Sequence, residues 1–292
     1  MRWAPVLAAA SAAEQPGQAA GRVSFFVDGA RVGTVARAHL PALRAWPQWL
    51  LVETEAVTLT AAASERDAAL AEVHAALRAL GCIRAWRDEP FPLFDPETGA
   101  VLATMERAAA RFWGSLTLGA HANGYVADAQ GRPTHLWIAQ RAFDKATDPG
   151  LYDNLIGGGV PTGQTPLQAL QREGWEEAGL NAAQMAGVQA SAVLRLHRDV
   201  PEGRQFEDLH AYDLALPAGL RPQNQDGEVA GFHLLPVDEA MALAAGTSPR
   251  GRMTLDAALV TLAFALRHGL LPAAEHAALA SATTAAGFMR AV

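Results

Sequence analysis

The chain has 292 residues, half of them apolar, with 23 basic and 30 acidic side chains and a net charge of −7. That length suits about two domains of ~150 residues, and an acidic chain has no general attraction for phosphate backbones or anionic lipid, which excludes nucleic acid and membrane surfaces as default partners. The single cysteine, Cys82, excludes an internal disulfide and a cysteine zinc site and suits a reducing cytoplasm.

The opening, MRWAPVLAAASAAEQP, has one arginine, a short apolar run and an Ala-Ser-Ala end, the outline of a signal peptide. The run is mostly alanine, however, and predicts an N-terminal surface helix instead. RVSFFVDGARVGTV predicts a hairpin turning at Asp28-Gly29, a pair suited to positive backbone angles. ASERDAALAEVHAALRALG predicts a helix capped by Ser64, with Asp67 at N3, a face of Leu70, Val73, Leu77 and Leu80, and a stop at Gly81. DEPFPLFDPETG reads as a proline- and glycine-punctuated connection, and TMERAAARFWG as a helix.

From Leu116 the texture changes. LTLGAHANGYVAD, THLWIAQRAF, GVQASAVLRLHRD and EDLHAYDLALP predict strands, and the tail segments DEAMALAA, LDAALVTLAFALRHG and PAAEHAALASATTAAGF predict helices. A boundary near residues 113–120 follows, with an α+β domain over 1–117 packed against a second domain over 118–292 that ends in a helical extension. No apolar run approaches the ~18 residues needed to span a bilayer.

Between the second and third of these strands lies GGGVPTGQTPLQALQREGWEEAGL, residues 157–180. Thr165-Pro166 predicts a helix start and Gly179 a stop. Leu167, Leu170, Gly174 and Ala178 form an apolar stripe, while Glu173, Glu176 and Glu177, spaced i, i+3 and i+4, project their carboxylates from one face. As a solvated acidic face the arrangement costs only ~0.2–0.5 kcal/mol per like-charge pair. Yet these glutamates lie in the second half of the helix, where the macrodipole opposes them. A hard divalent cation offsets both penalties, and a glycine loop lets backbone groups approach the same ion or its ligand.

The stretch resembles the Nudix box, Gly-x5-Glu-x7-Arg-Glu-apolar-x-Glu-Glu-x-Gly-apolar. Here the fixed positions read Gly158, Gln164, Arg172, Glu173, Gly174, Glu176, Glu177, Gly179 and Leu180. The resemblance implies an α/β fold, the α/β/α sandwich with the box as loop–helix–loop. It also implies that Glu176 and Glu177 ligate Mg²⁺ or Mn²⁺, that Glu173 is a further ligand or the base that activates water, that Gly158 lends its carbonyl, and that Arg172 orients the acidic side chains. Two positions depart from the pattern. Gln164 stands for the first glutamate, removing a charge partner of Arg172, and Gly174 stands for a larger apolar residue at a cost of about 1 kcal/mol in helix propensity. These departures predict reduced activity or an altered metal preference in a site that still works.

The flanks GAHANGYV, RAFDKATDPGLYDNLIGGGVPTGQ, AYDLALP, NQDGEVAGFHLLPVDEA and LRHGLL, with N-terminal FFVDGARVGTV and WRDEPFPLFDPETGAVLATMERAAARFWG, resemble one subfamily across nearly the whole chain. That subfamily joins an uncharacterised N-terminal domain to a Nudix domain, and includes plant Nudix enzymes and the Nudix part of fungal thiamine pyrophosphokinase fusions. The resemblance implies hydrolysis of thiamine diphosphate or its oxidised oxo and oxy analogues to monophosphates, a housecleaning role.

Further candidates come from the residues themselves. Glu228 is a candidate ligand or base, or a solvated turn glutamate; Glu207 and Asp208 come next. Arg141 and Lys145 could neutralise the distal phosphate, or be ordinary solvated cations. Trp113, Tyr125, Trp137 and Trp175 are available as walls for an aromatic ligand, although strand aromatics more often belong to a core. His121 could face the cleft but reads better as a partnered structural histidine. The main rival function is a general nucleoside-diphosphate-linked pyrophosphatase. A ligand sensor without turnover is favoured only by Gln164. An isoprenoid diphosphate isomerase needs a cysteine in its core domain, whereas Cys82 is N-terminal, and RNA decapping is disfavoured by charge. The N-terminal domain could shape the pocket, mediate a homodimer or only stabilise the fold.

Overall fold

The structure, a computed structural model, describes residues 2–10, 21–285 and 289–291. The first part comprises α1 (Ala4–Ala10), β1 (Arg22–Val27), β2 (Ala30–Ala36), α2 (Leu40–Leu43), β3 (Leu50–Val52), β4 (Ala56–Leu59), α3 (Arg66–Ala79), β5 (Pro90–Phe94), β6 (Val101–Glu106) and α4 (Arg107–Trp113). The second comprises β7 (Leu116–Ala127), β8 (Pro133–Arg141), β9 (Tyr152–Asp153), β10 (Ile156–Gly159), α5 (Pro166–Ala178), α6 (Ala182–Met185), β11 (Gln189–Val200), β12 (Gly203–Ala215), β13 (Val229–Pro236), α7 (Val237–Ala244), α8 (Leu255–Arg267), α9 (Ala273–Ala285) and β14 (Met289–Ala291).

In the first part β1 pairs antiparallel with β2 and parallel with β4 in a sheet ordered β2-β1-β4-β3. The β1–β2 turn is Asp28-Gly29, both at positive φ (54° and 79°), as the tight primed turn requires. Val23, Phe25 and Val27 alternate inward and pack with Leu70, Val73 and Leu77 of α3 and Phe112 and Trp113 of α4. Three expectations need correction here. Glu65, not Ser64, holds the N-cap of α3, without a side-chain bond, and Asp67 accepts from Thr104 N at 2.7 Å instead. Leu80 lies past the last turn and is 63% exposed. The stretch read as a connection is a hairpin, β5 against β6. Pro90 and Pro92 alternate with buried Phe91 and Leu93, so the positions without N–H fall along one edge, where Pro90 O accepts from Thr162 N at 2.8 Å. Thr104–Glu106 accordingly belong to β6, and α4 starts only at Arg107, capped by Glu106.

The second part is an eight-stranded sheet ordered β13-β8-β7-β12-β11-β14, with β10 added to β7 and β9 to β8. Helix α5 covers one face: Ala169 and Leu170, with Met185 after it, pack on Ala120, Ala122, Ile156, Tyr212 and Leu214. Helices α7, α8 and α1 cover the other. Leu259, Val260 and Ala263 meet Leu194, Leu196, Leu209 and Ala211, and Trp3 joins Met241, Leu262 and Phe264 on Leu136 and Ile138. This is the expected helix–sheet–helix sandwich. The N-terminal helix lies on the surface as expected, burying only Ala10, while Trp3 just before it inserts into a core; residues 11–16 of that opening lie outside the described residues. The supposed glycine loop is largely strand, since Gly157–Gly159 pair with Gly119–His121 of β7. No helix among the described residues is long and apolar enough to cross a membrane.

Candidate active site

The acidic helix starts and stops where its sequence dictates. Thr165 and Gln168 form a reciprocal capping box, Pro166 occupies the first turn, and Gly179 closes the helix at φ 66°. Its buried face differs from the expected stripe: Leu167 is 41% exposed, and Ala169, Leu170, Gly174 and Ala178 go inward together with Glu173 and Glu177. Gly174 has a packing reason, because a Cβ there would stand 3.0 Å from Met185 Sδ and 3.2 Å from Ile156 Cδ1. Gly158 has a sharper one. A Cβ there would lie 2.7 Å from Glu173 Cγ and closer still to its carboxylate, so only glycine lets β10 lie against that side chain.

Arg172 grips two of the three carboxylates. Its Nη2 donates to Glu173 Oε1 at 2.8 Å and its Nη1 to Glu176 Oε2 at 2.6 Å, while Nε reaches Gln164 Oε1 at 3.5 Å. Gln164 thus occupies the place of a charge partner without supplying charge. Glu177 sits behind them, accepting from Gly157 N at 2.8 Å. Burial pushes both Glu173 and Glu177 above the usual carboxylate range; Glu176 pushes Glu173 further, though Arg172 opposes, and the Glu173 charge adds to the rise at Glu177.

Two cavities lie near this helix and share Ala85, Arg87 and Arg107. One of about 900 Å³ is lined by Glu173, Glu176, Arg172 and Gln164, by Lys145 and Glu228, and by the N-terminal segment 85–90 with Arg107. One of about 140 Å³ touches Gly157–Gly159, His121, Glu207, Asp256 and Phe206, and again Arg87, Phe91 and Arg107. Lys145 Nζ pairs with Glu228; burial pushes that carboxyl up, but the Lys145 bond and charge override it and hold the group below its ordinary value. Arg141 is fully engaged, donating to Asp153 Oδ2 at 3.0 Å and to the carbonyls of Thr147 and Asp148. His121 both lines the small cavity and is partnered, by Asn154 Oδ1 at 3.1 Å. Glu207 is buried beside Asp256 and Gln205; burial and then the Asp256 charge push it upward. Asp208 is elsewhere, chelated by Arg195 at 2.7 Å and met by Arg290.

None of the four expected aromatics lines either cavity. Trp113 stacks on Phe25 with centroids 4.1 Å apart, Tyr125 packs on Phe264, Trp137 belongs to the core under α5, and Trp175 is exposed. The rings at the cavities are Phe91, Trp86 and Phe206. Phe91, Trp86, Arg87 and Arg107 all come from the first part of the chain, and sequence reasoning missed them. The apolar run PFPLF, buried from Phe91 to Leu93, was the available signal, obscured by its prolines.

Among the described residues no three His, Cys, Asp or Glu side chains stand ready-assembled around a metal position; Arg172 and Gly157 N hold the box carboxylates instead. The donors nevertheless fit a hard divalent cation: all are oxygens, and two, Glu173 and Glu177, are buried carboxylates whose charge an added cation would offset.

The NUDIX domain family matches residues 117–257, and a domain of unknown function, DUF4743, matches residues 6–116. The chain is 36% identical over 209 residues to Nudix hydrolase 20, chloroplastic, of Arabidopsis thaliana, covering 71% of this chain and 54% of that one. It is 35% identical over 208 residues to Nudix hydrolase 24, chloroplastic, of the same plant, covering 71% and 55%. The chain thus spans about half the length of these curated relatives. Among solved structures it is similar to DR0079 of Deinococcus radiodurans, with 20% identity and a TM-score of 0.44 over 60% of this chain and 99% of that one. The NUDIX match spans the glycine strand, the acidic helix and the sheet beneath them, and the chain belongs to the Nudix superfamily, its NUDIX domain preceded by a DUF4743 domain.

Proposed function

We propose that the protein is a divalent-cation-dependent hydrolase of a small-molecule diphosphate, cleaving thiamine diphosphate or its oxidised analogues to the monophosphate. The observation that carries the reading is the cluster of box carboxylates at a large polar cleft, Glu173 and Glu176 in its wall under Arg172 and Glu177 buried behind them. Nudix hydrolases generally use divalent metals. Glu173, Glu176, Glu177 and the Gly158 carbonyl are the groups that would hold Mg²⁺ or Mn²⁺. An ion bound there supplies positive charge to the diphosphate and acidifies water.

The chain's own groups do the rest. Water attacks one phosphorus and the bridging P–O bond breaks, so two phosphate products leave and one proton must be accepted. Glu173 and Glu228 are the acceptors within the cleft. Both are ion-paired, but Lys145 holds Glu228 below its ordinary value while burial raises Glu173 despite Arg172, so Glu173 is the assigned base, with Arg172 orienting it. Lys145 faces the same cavity and meets the distal phosphate only by giving up its Glu228 partner, whereas Arg141 positions Asp153. The thiamine assignment rests on the subfamily resemblance; the small cavity adds the rings of Phe91 and Phe206, but its lining is rich in arginine and suits the phosphates better than a cationic heterocycle. A nucleoside-diphosphate-linked substrate is the alternative within the same chemistry.

A panel of thiamine diphosphate, oxothiamine diphosphate, ADP-ribose and nucleoside triphosphates, ranked by kcat/KM with Mg²⁺ and with Mn²⁺, tests both levels. Preference for a thiamine compound supports the full reading. Preference for ADP-ribose or a nucleotide removes thiamine and keeps the hydrolase, and no turnover of any member removes the hydrolase.

A further inference from the structure

The segment Arg84–Pro90 belongs to the DUF4743 part of the chain, yet it forms a wall of the cleft that holds the Nudix box. It is held there at a cost. Ala85 and Asp88 both sit at φ 55°, left-handed backbone that side chains with a Cβ rarely adopt. Glu106 fixes the segment from below: its Oε1 accepts from Arg87 N at 2.9 Å and its Oε2 from Glu89 N at 3.2 Å. From above, Trp86 donates to Asp88 Oδ1 at 2.7 Å, and the Arg78 guanidinium lies 4.7 Å from the Trp86 ring centroid. Strain that the surroundings enforce this firmly points to a placed side chain, and the one placed is Arg87.

Four basic residues line the larger cavity. Arg172 is committed to Glu173 and Glu176, Lys145 to Glu228, and Arg107 to Glu89 at 2.8 Å. Of these four the Arg87 guanidinium alone has no ion-pair partner among the described residues and donates no hydrogen bond, although it is half-buried and lines both cavities at their junction. Burial, followed by the charge of Arg107, pulls its pKa down, and the charges of Glu228 and Glu89 only partly oppose this.

We propose that Arg87 is a substrate-binding residue whose guanidinium takes non-bridging oxygens of the diphosphate, so that the DUF4743 domain completes the phosphate site of the Nudix domain. The fork geometry of arginine suits two phosphate oxygens at once. This inference rests on the cleft being a diphosphate site.

The test is a ³¹P NMR titration of the full chain with methylenediphosphonate, whose P–C–P bridge resists hydrolysis. It is run in EDTA so that no metal contributes, on the wild type, Arg87→Gln and Arg87→Lys, with melting curves for all three. The expected result is binding by the wild type, weakening by about 10- to 100-fold in Arg87→Gln, and partial recovery in Arg87→Lys. Equal affinity in wild type and Arg87→Gln, or no binding by the wild type, overturns the proposal. Turnover is read separately. A wild type that binds the probe through Arg87 but cleaves no diphosphate discards the hydrolase reading and keeps the residue. An active wild type matched by Arg87→Gln in affinity and KM discards the residue and keeps the reading.

Discussion

Replacing Gly158 with alanine puts a methyl group where the Glu173 side chain already lies. The new Cβ would stand 2.7 Å from Glu173 Cγ, with the carboxylate nearer still, whereas carbon atoms settle at about 3.5–4 Å. One partner must retreat by about 1 Å. The strand cannot easily do so, because β10 is paired to β7 with Gly158 opposite Ala120. The carboxylate is held only by Arg172 at 2.8 Å, so Glu173 moves. A displacement of about 1 Å in a catalytic group costs about 10²-fold in rate, while overpacking of this kind costs about 1–3 kcal/mol in stability. Gly158→Ala should therefore remain folded at 25 °C, lose about 10²-fold in kcat/KM, and bind Mn²⁺ about 10-fold more weakly by electron paramagnetic resonance titration. Gly174→Ala, in the helix that carries Glu173, is the control. Its Cβ meets the flexible end of Met185 and gains about 1 kcal/mol of helix propensity, so stability and activity should stay near wild type. A folded Gly158→Ala protein with wild-type kcat/KM and wild-type Mn²⁺ affinity would refute the placement of Glu173 at the reacting centre.

Glu176→Gln and Glu177→Gln should each lower diphosphate turnover by at least about 10²-fold; full turnover in the double variant contradicts the site. His74 gives a pH signature far from the cleft. It is buried and neutral, with burial pulling its pKa down to about 3, and its Nε2 accepts from Trp113 Nε1 at 2.8 Å. Because the unfolded imidazole titrates near 6.5, its contribution is complete above that pH and falls by about 1.4 kcal/mol per pH unit below it. In His74→Gln, which keeps an acceptor for Trp113, the loss of stability between about pH 6 and 4 should be shallower by one proton; equal slopes in urea titrations contradict the buried neutral ring. Thr165→Ala removes half of the capping box and should cost about 1 kcal/mol, read as a lower urea midpoint at unchanged m.

Wherever one local rule sufficed, the sequence was readable. Asp28-Gly29 set a hairpin, Thr165-Pro166 and Gly179 bounded the acidic helix, and the long strands after Leu116 announced themselves by their texture. Failures came where a second chain segment decides. Pro90 and Pro92 argue against a strand until one sees that β5 shows its proline edge away from β6. Three consecutive glycines argue for a loop, but β10 is a strand because close approach to Glu173, His121 and Phe91 leaves no room for a Cβ. The aromatics were misassigned for a related reason. A tryptophan next to a motif in sequence, such as Trp175, can point into solvent, while rings from residues 86–91 reach the cleft through space. Arg141 and Lys145 looked alike as nearby cations; only their partners distinguish them, three acceptors for Arg141 and one cavity-facing carboxylate for Lys145. Arg87 carries no local signal, since it depends on Glu106 and on the absence of a carboxylate beside it.

The most direct measurement is anomalous diffraction from crystals soaked in Mn²⁺ together with methylenediphosphonate. The account predicts a manganese peak within ligand distance of the Glu173 and Glu177 carboxylates and the Gly158 carbonyl, with Arg172 turned aside and the diphosphonate reaching from the ion towards Arg87. A bound diphosphonate with no manganese at those carboxylates would contradict it.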